Sequence, residues 1–149
     1  MSDIHIDDFY KDSALILLQL YAHFPRPITL FVEDIAGPDN EDEFGLHSQR
    51  HMACFSSINW LAESGYLVFQ DTIRQDAMDQ VVLTHKAFTL MSSPSKEQNP
   101  AVSKEMPDLV QQSLSSNAAL LRQGIKAEST YQINKLMQTL FNESRQHAT

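Results

Sequence analysis

The stretch FSSINWLAESGYLVFQDTIRQDAMDQVVLTHKAFTLM, residues Phe55 to Met91, decides the fold of this chain. Its first part carries apolar residues at helical spacing, at Phe55, Ile58, Leu61 and Ala62. The helix is predicted to stop at Ser64-Gly65, since glycine adopts the left-handed conformation that ends many helices without steric cost. The stretch therefore begins as an amphipathic helix with a defined end.

Two runs rich in β-branched and aromatic residues follow the glycine. Residues 66–69 and 80–83 flank a polar segment of about ten residues, which predicts two strands joined by a loop. Thr84 then occupies a capping position before a short helix from His85 to Met91. The order helix, glycine stop, hairpin, helix organises the rest of the chain.

Upstream, two more helices are expected, together with the start of the helix that contains Phe55. Asp7 or Asp8 caps a buried helix that includes Ser13–Phe24 and ends at Pro25 and Pro27. A short second helix is predicted from Thr29 to Ala36, before Gly37-Pro38. The third starts near Ser48 and runs to Glu63, after an acidic loop at residues 38–46 that is longer than the usual turn between such helices.

The last third of the chain has a different composition. Residues 92–100 contain two prolines and no apolar periodicity, which predicts a linker. From Asp108 onward helical periodicity resumes, with an expected break at Gly124 or at Ser129-Thr130. We predict a domain at residues 1–94 and a linker with a C-terminal helical segment at residues 95–149. The apolar stripe of this segment either packs on its own domain or forms a homodimer, and we favour the homodimer.

Two motifs in this order resemble a known family. Residues 54–67, CFSSINWLAESGYL, resemble the end of the recognition helix in winged helix-turn-helix regulators of the PadR-like and MarR-like kinds, and residues 82–87, VLTHKA, resemble the close of their wing. Ala87 stands where those proteins usually have glycine. The resemblance covers residues 10–92. It implies a mainly α fold of the α+β class: a winged helix-turn-helix with a two-stranded wing, followed by the C-terminal helices. It also implies that the protein is a DNA-binding transcriptional regulator.

Composition limits the function. The net charge is −8, and it is uneven: residues 1–94 carry a net −9 and residues 95–149 a net +1. Phosphate neutralisation supplies most non-specific DNA affinity, so an acidic N-terminal part favours the alternative of a protein-binding adaptor that does not contact DNA. The absence of a secretory or membrane-spanning pattern, with one cysteine, predicts a cytoplasmic protein without an intrachain disulfide.

If the chain binds double-stranded DNA, polar and cationic residues at the start of the third helix and on the wing must make the contacts. Candidates on the helix are His47, Ser48, Gln49, Arg50, His51, Ser56 and Asn59. Candidates on and after the wing are Arg74, Gln75 and Lys86. A positive face formed by Arg26, Arg50, Arg74 and Lys86 would favour DNA over a protein partner.

The sequence predicts neither an enzyme nor a cofactor. It has four glycines and no phosphate loop, nucleotide fingerprint or nucleophile elbow. His47, His51 and Cys54 follow one another at i, i+4 and i+7, a spacing that places imidazole and thiolate groups on one side of a helix and suits zinc. Because this spacing supplies at most three ligands and Cys54 is more simply a core residue, the sequence favours no metal.

Overall fold

The computed structural model describes residues 3–146, which form an α+β fold with a small antiparallel sheet. The described helices are α1 (Ile4–His23), α2 (Val32–Ala36), α3 (Gln49–Glu63), α4 (His85–Ser92), α5 (Asp108–Ser115), α6 (Asn117–Lys126) and α7 (Thr130–Gln146). The strands are β1 (Ile28–Phe31), β2 (Leu67–Val68), β3 (Asp71–Ile73) and β4 (Ala77–Leu83).

The predicted caps of α3 and α4 and the predicted end of α3 are confirmed. The Ser48 hydroxyl accepts a hydrogen bond from the backbone N–H of His51 at 3.1 Å and caps α3. Gly65 ends the helix with φ +84°, a conformation that L side chains rarely adopt. The Thr84 hydroxyl caps α4 through the N–H of Ala87 at 3.2 Å. The helix from the Ser48 cap to Glu63 is thus correctly bounded by the sequence.

All other strands pair with β4. β1 lies along one edge of β4, with Leu30 opposite Met78, and β2 lies along the other edge, with Leu67 opposite Leu83. β3 also pairs with β4 and places Ile73 opposite Ala77. The central position of β4 explains its burial, since Ala77, Met78 and Val81 are fully buried.

Two sequence predictions about this region are wrong. The second helix does not begin at Thr29, because residues 28–31 form β1 and the helix starts only at Val32. The predicted loop between the two wing strands contains β3, so the sheet has four strands where two were expected. Both errors share a cause: short strands are stabilised by pairing with β4, a distant partner that a local sequence pattern does not reveal.

The C-terminal helices pack on the same core as the N-terminal ones. Leu121, Met137 and Leu140 belong to one cluster of buried side chains together with Ile16 and Leu17 of α1. The Asn134 amide donates to Asp7 Oδ1 at 2.7 Å, which links α7 to the first turns of α1. The apolar stripe was expected either to pack on its own domain or to form a homodimer. The part of the stripe formed by Leu121, Met137 and Leu140 packs on its own chain.

Of the two alternatives for the break in the C-terminal segment, the one at Ser129-Thr130 is confirmed, since α7 begins at Thr130, and the one at Gly124 is wrong. Gly124 lies within α6, and the breaks fall at Ser116, whose hydroxyl caps α6, and at residues 127–129. Residues 93–107, the predicted linker, form turns and one isolated bridge between Pro94 and Ser116. Within the described residues, every helix is too short or too polar to serve as a membrane span.

Candidate functional site

Three segments meet at the start of α3: the acidic loop of residues 38–46, the first turn of the helix, and the turn that joins β3 to β4. His51 Nε2 donates to the backbone carbonyl of Gln75 at 2.8 Å. His47 Nε2 lies 2.9 Å from Asp76 Oδ1. These contacts bring together seven of the residues proposed from the sequence: His47, Ser48, Gln49, Arg50, His51, Arg74 and Gln75.

The other three proposed residues lie elsewhere on α3 or beyond its end. Ser56 is exposed midway along the helix, and the Asn59 amide donates to the carbonyl of Phe55 at 3.4 Å. The Lys86 ammonium donates to the carbonyl of Ser64 at 2.8 Å and lies 4.4 Å from the centre of the Tyr66 ring. Lys86 therefore binds the C-terminal end of α3, a favourable place for a cation.

Arg50 is engaged within the protein. Its guanidinium forms a fork with the carboxylate of Asp12, Nη1 to Oδ2 at 2.7 Å and Nη2 to Oδ1 at 2.5 Å, and the Asp12 side chain is 1% exposed. The hydrogen bonds that Arg50 donates to Asp12 raise the pKa of Arg50 above its usual value. Because this charge is neutralised by a buried carboxylate, Arg50 contributes little to a positive surface.

Arg74 is exposed, at the turn between β3 and β4. Its φ of +53° places the backbone in the left-handed region. Arg26 is also exposed, and it precedes β1 at the end of the sheet where Ile28 pairs with Val81. Arg74 lies beyond the other end, where Phe31 pairs with Ala77. The two exposed arginines therefore lie at opposite ends of β4, and Arg26, Arg50, Arg74 and Lys86 do not form one positive face.

The acidic loop is held against the helix by Asp39. The Asp39 carboxylate accepts hydrogen bonds from the Ser48 hydroxyl at 2.5 Å and from the Ser48 N–H at 3.3 Å, and its side chain is 2% exposed. The Ser48 hydroxyl is the main reason why the pKa of Asp39 falls to about 2. A second carboxylate, that of Asp42, accepts the N–H groups of Phe44 and Leu46 at 2.9 Å each and shapes the loop.

His47 lies between two carboxylates. Its Nδ1 is 2.7 Å from Asp39 Oδ2 and its Nε2 is 2.9 Å from Asp76 Oδ1. Since carboxylates only accept hydrogen bonds, the ring donates from both nitrogens and is an imidazolium in this arrangement. The hydrogen bond to Asp39, reinforced by the charges of Asp76 and Glu41, raises the pKa of His47 above 6.5.

Two overlapping sets of side chains have the chemistry and spacing of metal ligands. Asp39, His47 and His51 form the first, and Glu41, His47 and Asp76 form the second, with the ligand atoms of each set within 4.8 Å of one another. Cys54, which the sequence grouped with the two histidines, is in neither set. Its thiol is buried, and this burial, together with the charge of Asp12, raises its pKa to about 12.

Sequence reasoning missed Asp39, Asp76 and Asp12 as members of this site. Asp39 was visible as a charge in the acidic loop, but no local pattern indicated that it folds back onto Ser48. Asp76 reaches His47 across 29 residues and Asp12 reaches Arg50 across 38. Contacts at these separations follow from the tertiary fold.

A separate cavity of about 530 Å³ lies between α4 and α7. Leu90, Pro94 and Glu143 are among its lining residues, together with the cationic side chains of Lys86 and Lys96. It is remote from the start of α3, because Lys86 marks the opposite end of that helix. The cavity is large enough for a small ligand.

No family model matches the chain, and neither a curated protein nor a solved structure is similar to it.

Proposed function

We propose that the chain is a winged-helix transcriptional regulator that binds double-stranded DNA and catalyses no reaction. The order of its N-terminal elements supports this proposal: α1, β1, α2 and α3 are followed by strands that turn back along β4, and β1 pairs with β4. In such a protein α3 is the recognition helix and the β3–β4 hairpin is the wing.

The observation that carries the proposal is the contact between the start of α3 and the hairpin. The hydrogen bond from His51 to the carbonyl of Gln75 keeps the first turn of the helix beside the hairpin turn. Helices that read DNA place their N-terminal residues at base edges, while adjacent loops and hairpins contact the phosphates. Here the exposed Gln49 is available for a base edge and the exposed Arg74 for a phosphate.

A second candidate function is a winged-helix adaptor that binds another protein. It is favoured by the charge distribution, because Arg50 and Lys86 are engaged within the protein, and Asp39, Asp76 and the acidic loop surround the start of α3. Phe31 and Ile73, which flank Ala77 across the sheet and are 47% and 44% exposed, offer apolar contact area close to this surface.

One experiment separates the two candidates. Binding of the full chain to mixed genomic DNA fragments is measured at low and at physiological salt. The DNA-binding proposal predicts a complex at low salt whose affinity falls steeply as salt rises, because bound cations are released from the phosphates. Absence of binding at low salt would refute the DNA-binding proposal. It would favour the adaptor, which is expected to bind no DNA at either salt concentration.

The proposed regulator acts as a homodimer in the cytoplasm. Helix α5 supports a dimer contact, since none of its side chains is buried and Leu109 and Val110 on it are 79% and 41% exposed. These two neighbouring side chains would supply the apolar part of the proposed interface. Two copies would present two α3 helices, as readers of two-fold symmetric DNA sites do.

A further inference from the structure

The structure assigns a site for a divalent first-row transition metal ion, best suited to zinc, to Asp39, His47 and His51. It lies where the acidic loop meets the first turn of α3, and neither the helix nor the loop supplies all three side chains. Asp39 belongs to the loop, His47 precedes the helix cap, and His51 lies in the first turn of the helix. The site does not depend on whether the chain binds DNA.

The spacing of the ligand atoms fits a metal ion. Asp39 Oδ2 lies 2.7 Å from His47 Nδ1 and 3.7 Å from His51 Nδ1, and the two imidazole rings stack with centroids 3.8 Å apart. Bonds of about 2.1 Å to a tetrahedral zinc ion place neighbouring ligand atoms roughly 3.4 Å apart. Because a metal ion lies in the plane of each imidazole that binds it, the two rings, which are 6° from parallel, must turn out of their stack for both Nδ1 atoms to reach one ion.

An unpartnered nitrogen of His51 is the independent observation. His51 is 2% exposed, and its Nε2 donates to the Gln75 carbonyl, which fixes the hydrogen of the neutral ring on Nε2. A metal ion would bind the Nδ1 lone pair of that tautomer. Among the described residues no hydrogen-bond partner reaches Nδ1, and the nearby carboxylate of Asp39 has no hydrogen to offer. A buried lone pair directed at a carboxylate is stabilised when a cation lies between them.

The surroundings of the site are those of a metal centre. Histidine ligands of metals usually donate their second ring N–H to a carbonyl or a carboxylate. His51 does so to Gln75 O, and His47 does so to Asp76 Oδ1 at 2.9 Å. The Ser48 hydroxyl and N–H orient Asp39 in the same manner. When the ion binds, it replaces the hydrogen on His47 Nδ1, and that proton leaves to solvent.

The donor set selects the class of ion. Two imidazoles and one carboxylate suit zinc and its first-row neighbours, whereas calcium and magnesium prefer oxygen ligands alone. Glu41 Oε1 is 3.7 Å from His47 Nδ1 and half exposed, so it can supply a fourth ligand in place of water. A bound ion would connect the acidic loop to α3 and offset two negative charges of the loop.

The test is titration of the full chain, freed of metal by a chelator, with Zn²⁺ followed by calorimetry and with Co²⁺ followed by its visible absorption. We expect one ion per chain and Co²⁺ bands typical of nitrogen and oxygen ligands. His47→Gln and Asp39→Asn should each weaken binding at least about 100-fold, more than loss of an outer partner costs. His85→Gln, which removes an exposed histidine on α4, is the matched control and should bind as the native protein does.

Two results would overturn the assignment. One is the absence of binding at micromolar Zn²⁺. The other is equal affinity in the native protein, His47→Gln and Asp39→Asn, which would indicate an adventitious ion only. If a variant fails to fold, imidazole nuclear magnetic resonance of the native protein decides: Zn²⁺ should shift the ring signals of His47 and His51 and leave those of His85 unchanged.

Discussion

At the scale of single residues, the polar side chains of the α3 region are organised by buried carboxylates. Asp12 holds Arg50 and Asp39 holds Ser48 and His47, and both carboxylates are 1–2% exposed. A buried ion pair is not a large source of net stability, but loss of one partner leaves an uncompensated charge. Substitutions of the cationic partner therefore act on the fold before they act on any surface function.

Arg50→Ala should lower the free energy of unfolding by about 3 kcal/mol, because it leaves the Asp12 carboxylate buried without its guanidinium. Urea denaturation measures the change. The double variant Asp12→Leu with Arg50→Leu should recover most of it, since an apolar pair needs no charge compensation. A loss in Arg50→Ala no greater than that in the exposed control Arg26→Ala would contradict this account of the pair.

Arg74 is consequently the better residue for testing DNA contact. Arg74→Asn keeps a residue that tolerates the φ of +53° and removes the exposed charge. If Arg74 binds a phosphate, the variant should reduce the slope of log affinity against log salt by about 1. Lys104→Asn is the charge-matched control, because Lys104 is exposed in the segment between α4 and α5. Equal slopes in the two variants would remove Arg74 from the interface.

Cys54 should be chemically inert in the folded protein. Its buried thiol has a pKa of about 12 instead of 9.0, so little thiolate forms and reagents do not reach it. A thiol-reactive disulfide should react slowly with the native chain and rapidly in denaturant. Between 9.0 and about 12 the unfolded chain ionises this thiol and the folded chain does not, so stability should fall as pH rises. Cys54→Ala should show a smaller fall, and rapid labelling of the native chain would contradict the assignment.

At the scale of helices and strands, Thr84 connects the C-terminal end of α3 with the start of α4. Thr84 caps α4, and its hydroxyl also donates to the carbonyl of Gly65 at 2.6 Å, directly after the end of α3. Lys86, in the first turn of α4, donates a further hydrogen bond to the carbonyl of Ser64. The junction of the two helices with the sheet thus depends on a few polar contacts at the start of α4.

Thr84→Val should destabilise the protein by about 1–2 kcal/mol, through loss of a helix cap and of one hydrogen bond. Thr84→Ser retains the hydroxyl and should remain within a few tenths of a kcal/mol of the native value. Thermal unfolding of both variants measures the difference. Equal stability of the Val and Ser variants would show that the hydroxyl contributes nothing.

The elements that could be predicted from the sequence are those with local signals. Ser48, Gly65 and Thr84 bound α3 and α4 through capping and backbone conformation, which depend on neighbouring residues alone. β1 and β3 could not be predicted, because each is only three or four residues long and is stabilised by β4. Within the candidate site, the histidines and Arg50 were identified, but their carboxylate partners come from distant segments.

At the scale of the whole molecule, the C-terminal helices are part of the main core, and α5 is the helix among them without a buried side chain. A test of dimerisation by removal of the C-terminal segment would expose α1 and damage the fold. A substitution on α5 is the more specific test. It leaves the buried residues of α6 and α7 in place.

Leu109→Glu should convert the proposed dimer into a monomer, because it puts a charge at the centre of an apolar contact. Light scattering should give about twice 16.9 kDa for the native chain and 16.9 kDa for the variant. Gln98→Glu places the same charge at an exposed position in the segment before α5 and should remain a dimer. A native chain that is monomeric at high concentration would refute the dimer.

The contact between α1 and α7 has a consequence for how the protein is made. Helix α1 leaves the ribosome before α7, because Asn134, which binds Asp7, is synthesised 127 residues after it. Until α7 has emerged, the apolar side of α1 lacks its final cover and is available to chaperones and proteases.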